Sequence, residues 1–191
     1  QWQDKYDEAL KYIQNALDIY EGINDKEGIT KCHNTVGGIY WRKGNLDEAM
    51  EEYNKAFSVA EALNKKTLMS DILGNMGLIY WNQGDSEKAL EYYEKSNVIA
   101  REIEFKSGES INLFNMAILN MEGGEFEEAQ ELYQKSLEMA RELGDRGLEG
   151  VCLEGLGNVY RNFGNSDVAL EYYKQAVKIA EEIGEKRSAA Y

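Results

Sequence analysis

The 191-residue chain has no proline, one histidine, two cysteines and a shortage of bases, with 21 Lys and Arg against 35 Asp and Glu for a net charge of −14. Zero proline excludes collagen-like, mucin-like and PxxP segments. The scarcity of cations opposes nucleic acid and anionic membrane as partners, because both select clustered Lys and Arg. No apolar run approaches the ~20 residues that span a bilayer, so no membrane helix is expected. Cys32 and Cys152 are too few for a disulfide framework, which points to a reducing, cytoplasmic setting. The lone His33 leaves no His pair or His/Cys set for zinc. The start, Gln1-Trp2-Gln3-Asp4, shows neither a signal peptide nor an initiating Met, so the chain reads as a mature fragment or an excised domain. A hydrophobic content of 43% is too high for a disordered acidic tail.

What is present is an internal repeat. Gly44, Gly84, Gly124 and Gly164 are spaced 40 residues apart, as are Ala9, Ala49, Ala89, Ala129 and Ala169. Ile13, Tyr53, Tyr93, Tyr133 and Tyr173 keep the same step, and so do Tyr40, Tyr80, Asn120 and Tyr160. Coincident series at one period mark a repeat array with no single globular core. Each unit carries two stretches of helical apolar spacing, such as Leu73, Met76, Gly77, Tyr80 and Trp81, then Ala89, Leu90, Tyr93 and Ala100. Between them stands a glycine suited to a left-handed helix end, followed by an N-cap candidate: Asn45, Asp85 or Asn165. Asn45 with Glu48 fits a variant of the capping box. Further turns are expected at Asn24-Asp25, Asn64-Lys65, Glu104 to Ser107, Gly144-Asp145 and Gly184-Glu185.

The spacing predicts outer helices over roughly 5–22, 46–63, 86–103, 126–143 and 166–183, and inner helices over roughly 26–43, 66–83, 106–123 and 146–163. A helix pair cannot bury its own apolar faces, so neighbouring units stack. The expectation is an all-α, right-handed α-solenoid of antiparallel helix pairs with about nine helices. It forms one array: a half repeat over 1–23, full repeats over 24–63, 64–103, 104–143 and 144–183, and a truncated repeat from 184. Gly37, Gly77 and Gly157 are expected at close helix crossings, faced by Ala49, Ala89, Ala129 and Ala169. Ala117 and Asn120 depart from this pattern in the third full repeat.

These residues resemble the tetratricopeptide repeat. Gly37, Tyr40, Gly44, Ala49, Tyr53 and Ala56 match its signature in one unit; Gly157, Tyr160, Gly164, Ala169, Tyr173 and Ala176 match it in another. The usual unit is shorter and often ends in proline; the 40-residue variety is similar to the repeats of cell-polarity adaptors and kinesin light chains. The resemblance implies a protein-interaction scaffold and not an enzyme, with no particular ligand. It also implies that the first helix of each unit lines the concave surface.

The charge distribution agrees with that placement. The inner windows 30–43, 70–83, 110–123 and 150–163 together carry +1, leaving −15 for the rest of the chain. Their exposed stripe is neutral, apolar in the middle and polar at its ends. Asn34, Trp41, Asn75, Leu78, Trp81, Phe114, Asn115, Ile118, Asn158 and Arg161 are the candidate groove residues. An amide both donates and accepts, as bonding to a peptide backbone requires; in the resembling family asparagines at this place do so. Trp41, Trp81, Leu78, Phe114 and Ile118 would supply apolar contacts, although helix packing and a solvated polar face explain the same residues.

No catalytic or cofactor motif is present. His33 stands where the other units have Leu73, Leu113 and Leu153, and reads as a partly buried, satisfied side chain. Cys32 and Cys152 sit three units apart and read as packing residues. The acids of Glu48, Glu51, Glu52, Glu127 and Glu128 read as solvent-facing. The expected partner is an apolar or amphipathic protein segment. Two alternatives stay open: a structural or self-assembling spacer, suggested by an uncapped first helix that could pair end to end, and a regulatory module of a fused signalling protein.

Overall fold

The computed structural model describes residues 2–189, with side chains for 5–184. Among the described residues it contains nine α-helices and no strand. The outer helices are α1 (Trp2–Gly22), α3 (Leu46–Ala62), α5 (Ser86–Glu102), α7 (Phe126–Leu143) and α9 (Ser166–Ala189). The inner helices are α2 (Lys26–Lys43), α4 (Lys66–Asn82), α6 (Lys106–Gly123) and α8 (Arg146–Asn162). The inner helices thus begin 40 residues apart, and the chain is an all-α helical-repeat solenoid.

The turns have one construction. Gly44, Gly84, Gly124 and Gly164 take φ of 81°, 79°, 85° and 76°. Each lets the next amide reach back to a helix carbonyl: Asn45 to Tyr40 at 2.9 Å, Asp85 to Tyr80 at 2.9 Å, Glu125 to Asn120 at 2.8 Å and Asn165 to Tyr160 at 2.9 Å. This satisfies carbonyls that the helix end would otherwise orphan. The turns between repeats use Gly144 at φ 69°, but also Asn24, Asn64 and Glu104 at φ 54°, 52° and 54°.

Asp25, Asp85 and Asp145 cap the following helices, accepting from the backbone N–H of Gly28, Lys88 and Leu148 at 3.0, 3.1 and 3.0 Å. The capping box expected at Asn45 is not formed. The Asn45 side-chain amide donates instead to Glu48 Oε1 at 3.0 Å, and the Asn45 backbone N–H, which the box would give to Glu48, donates to the Tyr40 carbonyl. The turn expected at Gly184-Glu185 is also absent, since α9 continues to Ala189. Gly144, its equivalent, bends the chain into α8; among the described residues no helix follows α9, and helical bonding propagates instead.

The chain divides into two compact units, residues 1–103 and 104–191. In the first unit Ala49, Tyr53, Ala56, Ala60, Ile72, Leu73, Met76 and Ile79 form the core. Its inner helices α2 and α4 approach each other, whereas among the described residues no Cα of α3 comes within 8 Å of one in α5. The first unit is therefore curved, with its inner helices on the concave side. In the second unit Ala129, Tyr133, Leu137, Cys152, Leu153, Leu156, Val159 and Ile179 dominate the core. Here α6 and α8 approach while α7 and α9 stay apart, giving the same sense of curvature.

The glycine crossings differ from expectation. The space above Gly37, Gly77 and Gly157 is filled by the rings of Tyr53, Tyr93 and Tyr173, not by the alanines. A Cβ on these glycines would lie 2.7, 2.7 and 2.5 Å from the ring. An alanine methyl is too short to fill that gap, and the ring buries far more apolar area. The alanines Ala49, Ala89 and Ala129 are nonetheless fully buried. Small hydroxyl residues complete two of the crossings. Ser96 donates to the Ser70 carbonyl at 2.7 Å, and Ser136 donates to the Ser110 carbonyl at 2.8 Å.

Candidate binding face on the inner helices

In the first unit Asn34 and Trp41 come from α2, and Asn75, Leu78 and Trp81 from α4; all five are half-buried. They share a face, and two of them are coupled: Asn75 Nδ2 donates to Asn34 Oδ1 at 3.0 Å. Asn34, 41 residues earlier in the chain, is thus the partner of Asn75. That bond uses one of the Asn75 amide hydrogens and orients the group, leaving its oxygen as an acceptor. Arg42 is exposed near Tyr53, whose phenol is pushed up to about 12 by burial, with Arg42 opposing. Asp71 is exposed as a whole residue, but neighbouring protein atoms partly desolvate its carboxyl and push it above its ordinary value.

In the second unit Phe114, Asn115 and Ile118 lie on α6, and Asn158 and Arg161 on α8. Ile118, Asn158 and Arg161 converge with Met121, Glu122 and Tyr133 around an open pocket of about 380 Å³. Asn158 Oδ1 accepts from the Tyr173 hydroxyl at 2.8 Å, which fixes its amide. Arg161 is exposed and has no ion-pair partner among the described residues. Tyr133, at the base, has its phenol pushed up by burial and by the neighbouring Cys152, Glu122 and Glu154. Phe114 packs on the Tyr133 ring at 5.8 Å between centroids, so part of its surface is committed to the fold. The Asn115 side chain makes no hydrogen bond with a described residue.

Tyr133 and Glu122 were not legible as site residues. The available signal was a pair of departures from the repeat. Ala117 takes the place of the crossing glycine, and Gly155 takes the place of Asn75 and Asn115. The Tyr133 ring lies against Gly155, where a Cβ would meet it at 2.6 Å.

His33 is held as expected of a satisfied side chain: Nδ1 lies 2.6 Å from Glu52 Oε2. This corrects the reading of Glu52 as solvent-facing, since its side chain is only 14% exposed. Burial opposes its ionisation, but hydrogen bonds from Lys55 and His33 outweigh that and hold the carboxyl below its ordinary value. Cys32 and Cys152 are free and buried. Among the described residues no three His, Cys, Asp or Glu side chains converge as metal ligands, and no helix is long and apolar enough to cross a membrane.

Comparison with known proteins bears on the fold. The family model described as tetratricopeptide repeat matches residues 1–62, 29–102 and 108–182. A search by sequence among curated proteins finds no match. Similar solved structures include BtubC (BKLC) from P. vanneervenii, with a TM-score of 0.80 at 18% identity over 96% of this chain and 76% of that one. A STAND-type signal transduction ATPase with a tetratricopeptide repeat sensor, from Pyrococcus horikoshii, scores 0.79 at 21% identity over 96% of this chain and 28% of its own. The Rap conjugation gene regulator of plasmid pLS20, in complex with the Phr* peptide, scores 0.72 at 20% identity over 95% and 59%. At these identities the likeness is one of fold.

Proposed function

The chain belongs to the tetratricopeptide repeat family, a fold that serves as a protein-interaction module, and from that premise we propose that its inner-helix face binds a peptide or helical segment of a partner protein. The observation that carries this reading is the pocket of the second unit. There an apolar wall of Ile118 and Met121 stands beside an oriented amide, Asn158, and an unpaired cation, Arg161. Such a site takes an apolar side chain and, beside it, a carboxylate or backbone carbonyl. The Asn34–Asn75 pair offers a comparable oriented amide on the first unit. That a structurally similar chain was solved in complex with a peptide is in keeping with this reading. As supporting contacts we place Trp41, Leu78 and Trp81 beside the Asn34–Asn75 pair on the inner helices of the first unit, and Phe114 and Asn115 on those of the second.

A peptide selected from a random library on the full chain provides the test. Calorimetric titration should show Ile118→Ser and Arg161→Ala each weakening it by about tenfold. Unchanged affinity in both variants would remove this face as the site.

One observation favours a second reading, end-to-end association. A cavity of about 540 Å³ lies beside α8 and α9, lined by Val151, Ala176, Val177 and Ile183. Sedimentation equilibrium decides it: a monomer at all concentrations argues against association through that surface.

A further inference from the structure

The first unit holds a second groove, on its outer side. Because α3 and α5 splay apart, an open gap of about 750 Å³ runs between them. Its floor is Leu73 and Met76 of α4, and its walls carry Phe57 on α3 with Tyr92, Val98 and Ile99 on α5. At 100° per residue, Leu73 and Met76 point to the opposite side of α4 from Asn75 and Leu78. The gap is therefore separate from the inner face.

Val98 sets this groove apart. It is 66% exposed, and the equivalent residues of the other repeats are Ser58, Glu138 and Lys178. Only here does the outer surface present an apolar side chain at that place. The surroundings are acidic, since α3 and α5 together carry nine Asp and Glu against four Lys and Arg. On the rim, Lys95 is held by Glu91 at 2.6 Å and lies 5.1 Å above the Tyr92 ring. It neutralises Glu91 and leaves Glu94 with no ion-pair partner among the described residues.

The shape selects a helix. From Glu91 to Ile99 the wall is about 12 Å long, two helical turns. The backbone groups of α3 and α5 are spent within their own helices, so an extended segment would find nothing to pair its N–H and C=O groups. A helix satisfies its own. From the apolar floor, the exposed Val98 and the unpaired Glu94, we infer that the α3–α5 groove docks a basic amphipathic helix of a partner protein. Two apolar residues one turn apart enter over Leu73, Met76 and Val98, and Lys or Arg side chains meet Glu94.

The test uses the whole chain and three fluorescein-labelled peptides of about 14 residues. One is amphipathic, with Leu and Phe on one face and Lys on the other; the second is its scramble; the third has Glu for every Lys. The variants are Glu94→Lys and Val98→Lys, which install the residues found at the equivalent Lys174 and Lys178, with circular dichroism melts to verify folding. Anisotropy should show the amphipathic peptide binding about tenfold more tightly than its scramble, with the acidic peptide not bound. Each variant should weaken it by about fivefold or more, while Ile118→Ser leaves it unchanged. No binding, equal binding of the scramble, unaltered affinity in both variants, or loss in Ile118→Ser would each overturn the assignment. Because Ile118 belongs to the inner face, this result stands or falls independently of the function proposed above.

Discussion

The Tyr133 ring lies over Gly155 of the following inner helix, at a distance that leaves no room for a Cβ: it would sit 2.6 Å away. The rings of Tyr53, Tyr93 and Tyr173 lie over Gly37, Gly77 and Gly157 of their own repeats. The third full repeat has Ala117 at that place, so the ring's space is provided by the neighbour. Gly155→Ala should therefore destabilise the chain. Overpacking costs ~1–3 kcal/mol, against a helix-propensity gain of ~0.5–1 kcal/mol. Adding Ala117→Gly reopens the usual slot, and the double variant should be more stable than the sum of the singles requires, by about 0.5 kcal/mol or more. Urea denaturation of the four proteins reads both numbers; strict additivity would mean that the two positions do not share the ring.

The Ser70–Ser96 crossing predicts a graded response. Ser96→Ala removes the 2.7 Å bond to the Ser70 carbonyl and the 3.1 Å contact between the two hydroxyls, but the Ser70 hydroxyl keeps the Ser96 carbonyl as its acceptor at 3.1 Å. The loss should be about 1 kcal/mol, the net value of one hydrogen bond. Ser96→Val adds bulk at a fully packed crossing and should cost ~1–3 kcal/mol more. Thermal unfolding in which valine matched alanine would show that the crossing has slack.

Glu104 holds a left-handed backbone, φ 54°, at the place where other repeats use Asn24, Asn64 or Gly144. A side chain with a Cβ pays ~1–2 kcal/mol for that conformation, and asparagine pays least. Glu104→Asn should stabilise the chain by about 0.5–1 kcal/mol. A midpoint of urea unfolding that fails to rise would show that the Glu104 side chain contributes contacts of its own.

Acid should weaken the fold, with one residue acting in the opposite sense. Hydrogen bonds from Lys31 and Lys65 hold Glu27 at about 2 rather than 4.5, and Lys106 holds Glu142 below its ordinary value. A lowered folded value stabilises at pH above the unfolded value and is lost as pH falls through the folded one. For Glu27 that window runs from 4.5 down to about 2. The Tm should fall as pH drops through it, less so in high salt, because these pairs are exposed. Asp71 is shifted upward by burial, so its carboxylate costs stability above its folded value and nothing once protonated in both states. Asp71→Asn should raise the Tm at pH 7 and leave it unchanged at pH 3. An equal rise at both would assign the effect to packing instead of charge.

Much of the fold was legible in the residues. The glycine series at 44, 84, 124 and 164 marked turns that take positive φ, and the helix limits follow from apolar spacing to within a residue at most ends. Both are local: a helix end is decided by its own caps and its own periodicity. The capping box at Asn45 failed for an equally local reason: the Asn45 backbone N–H that it needs donates to the Tyr40 carbonyl of the preceding helix end.

The candidate site was legible only as a face within each unit. The stripe of half-exposed residues on α2, α4, α6 and α8 follows from helical phase, but which of them touch does not. Asn34 bonds Asn75 across helices, His33 draws Glu52 out of solvent, and Tyr133 crosses to Gly155; each is a distance between residues far apart in the chain. The sequence by itself determined the period, the helix pairs, every expected turn but the one at Gly184-Glu185, and the near-neutral charge of the inner helices, because these depend on spacing along one helix. Only the tertiary structure decided where outer helices splay and inner ones close. That depends on side-chain volumes summed across neighbouring helices, and it is what opens the α3–α5 groove beneath Val98.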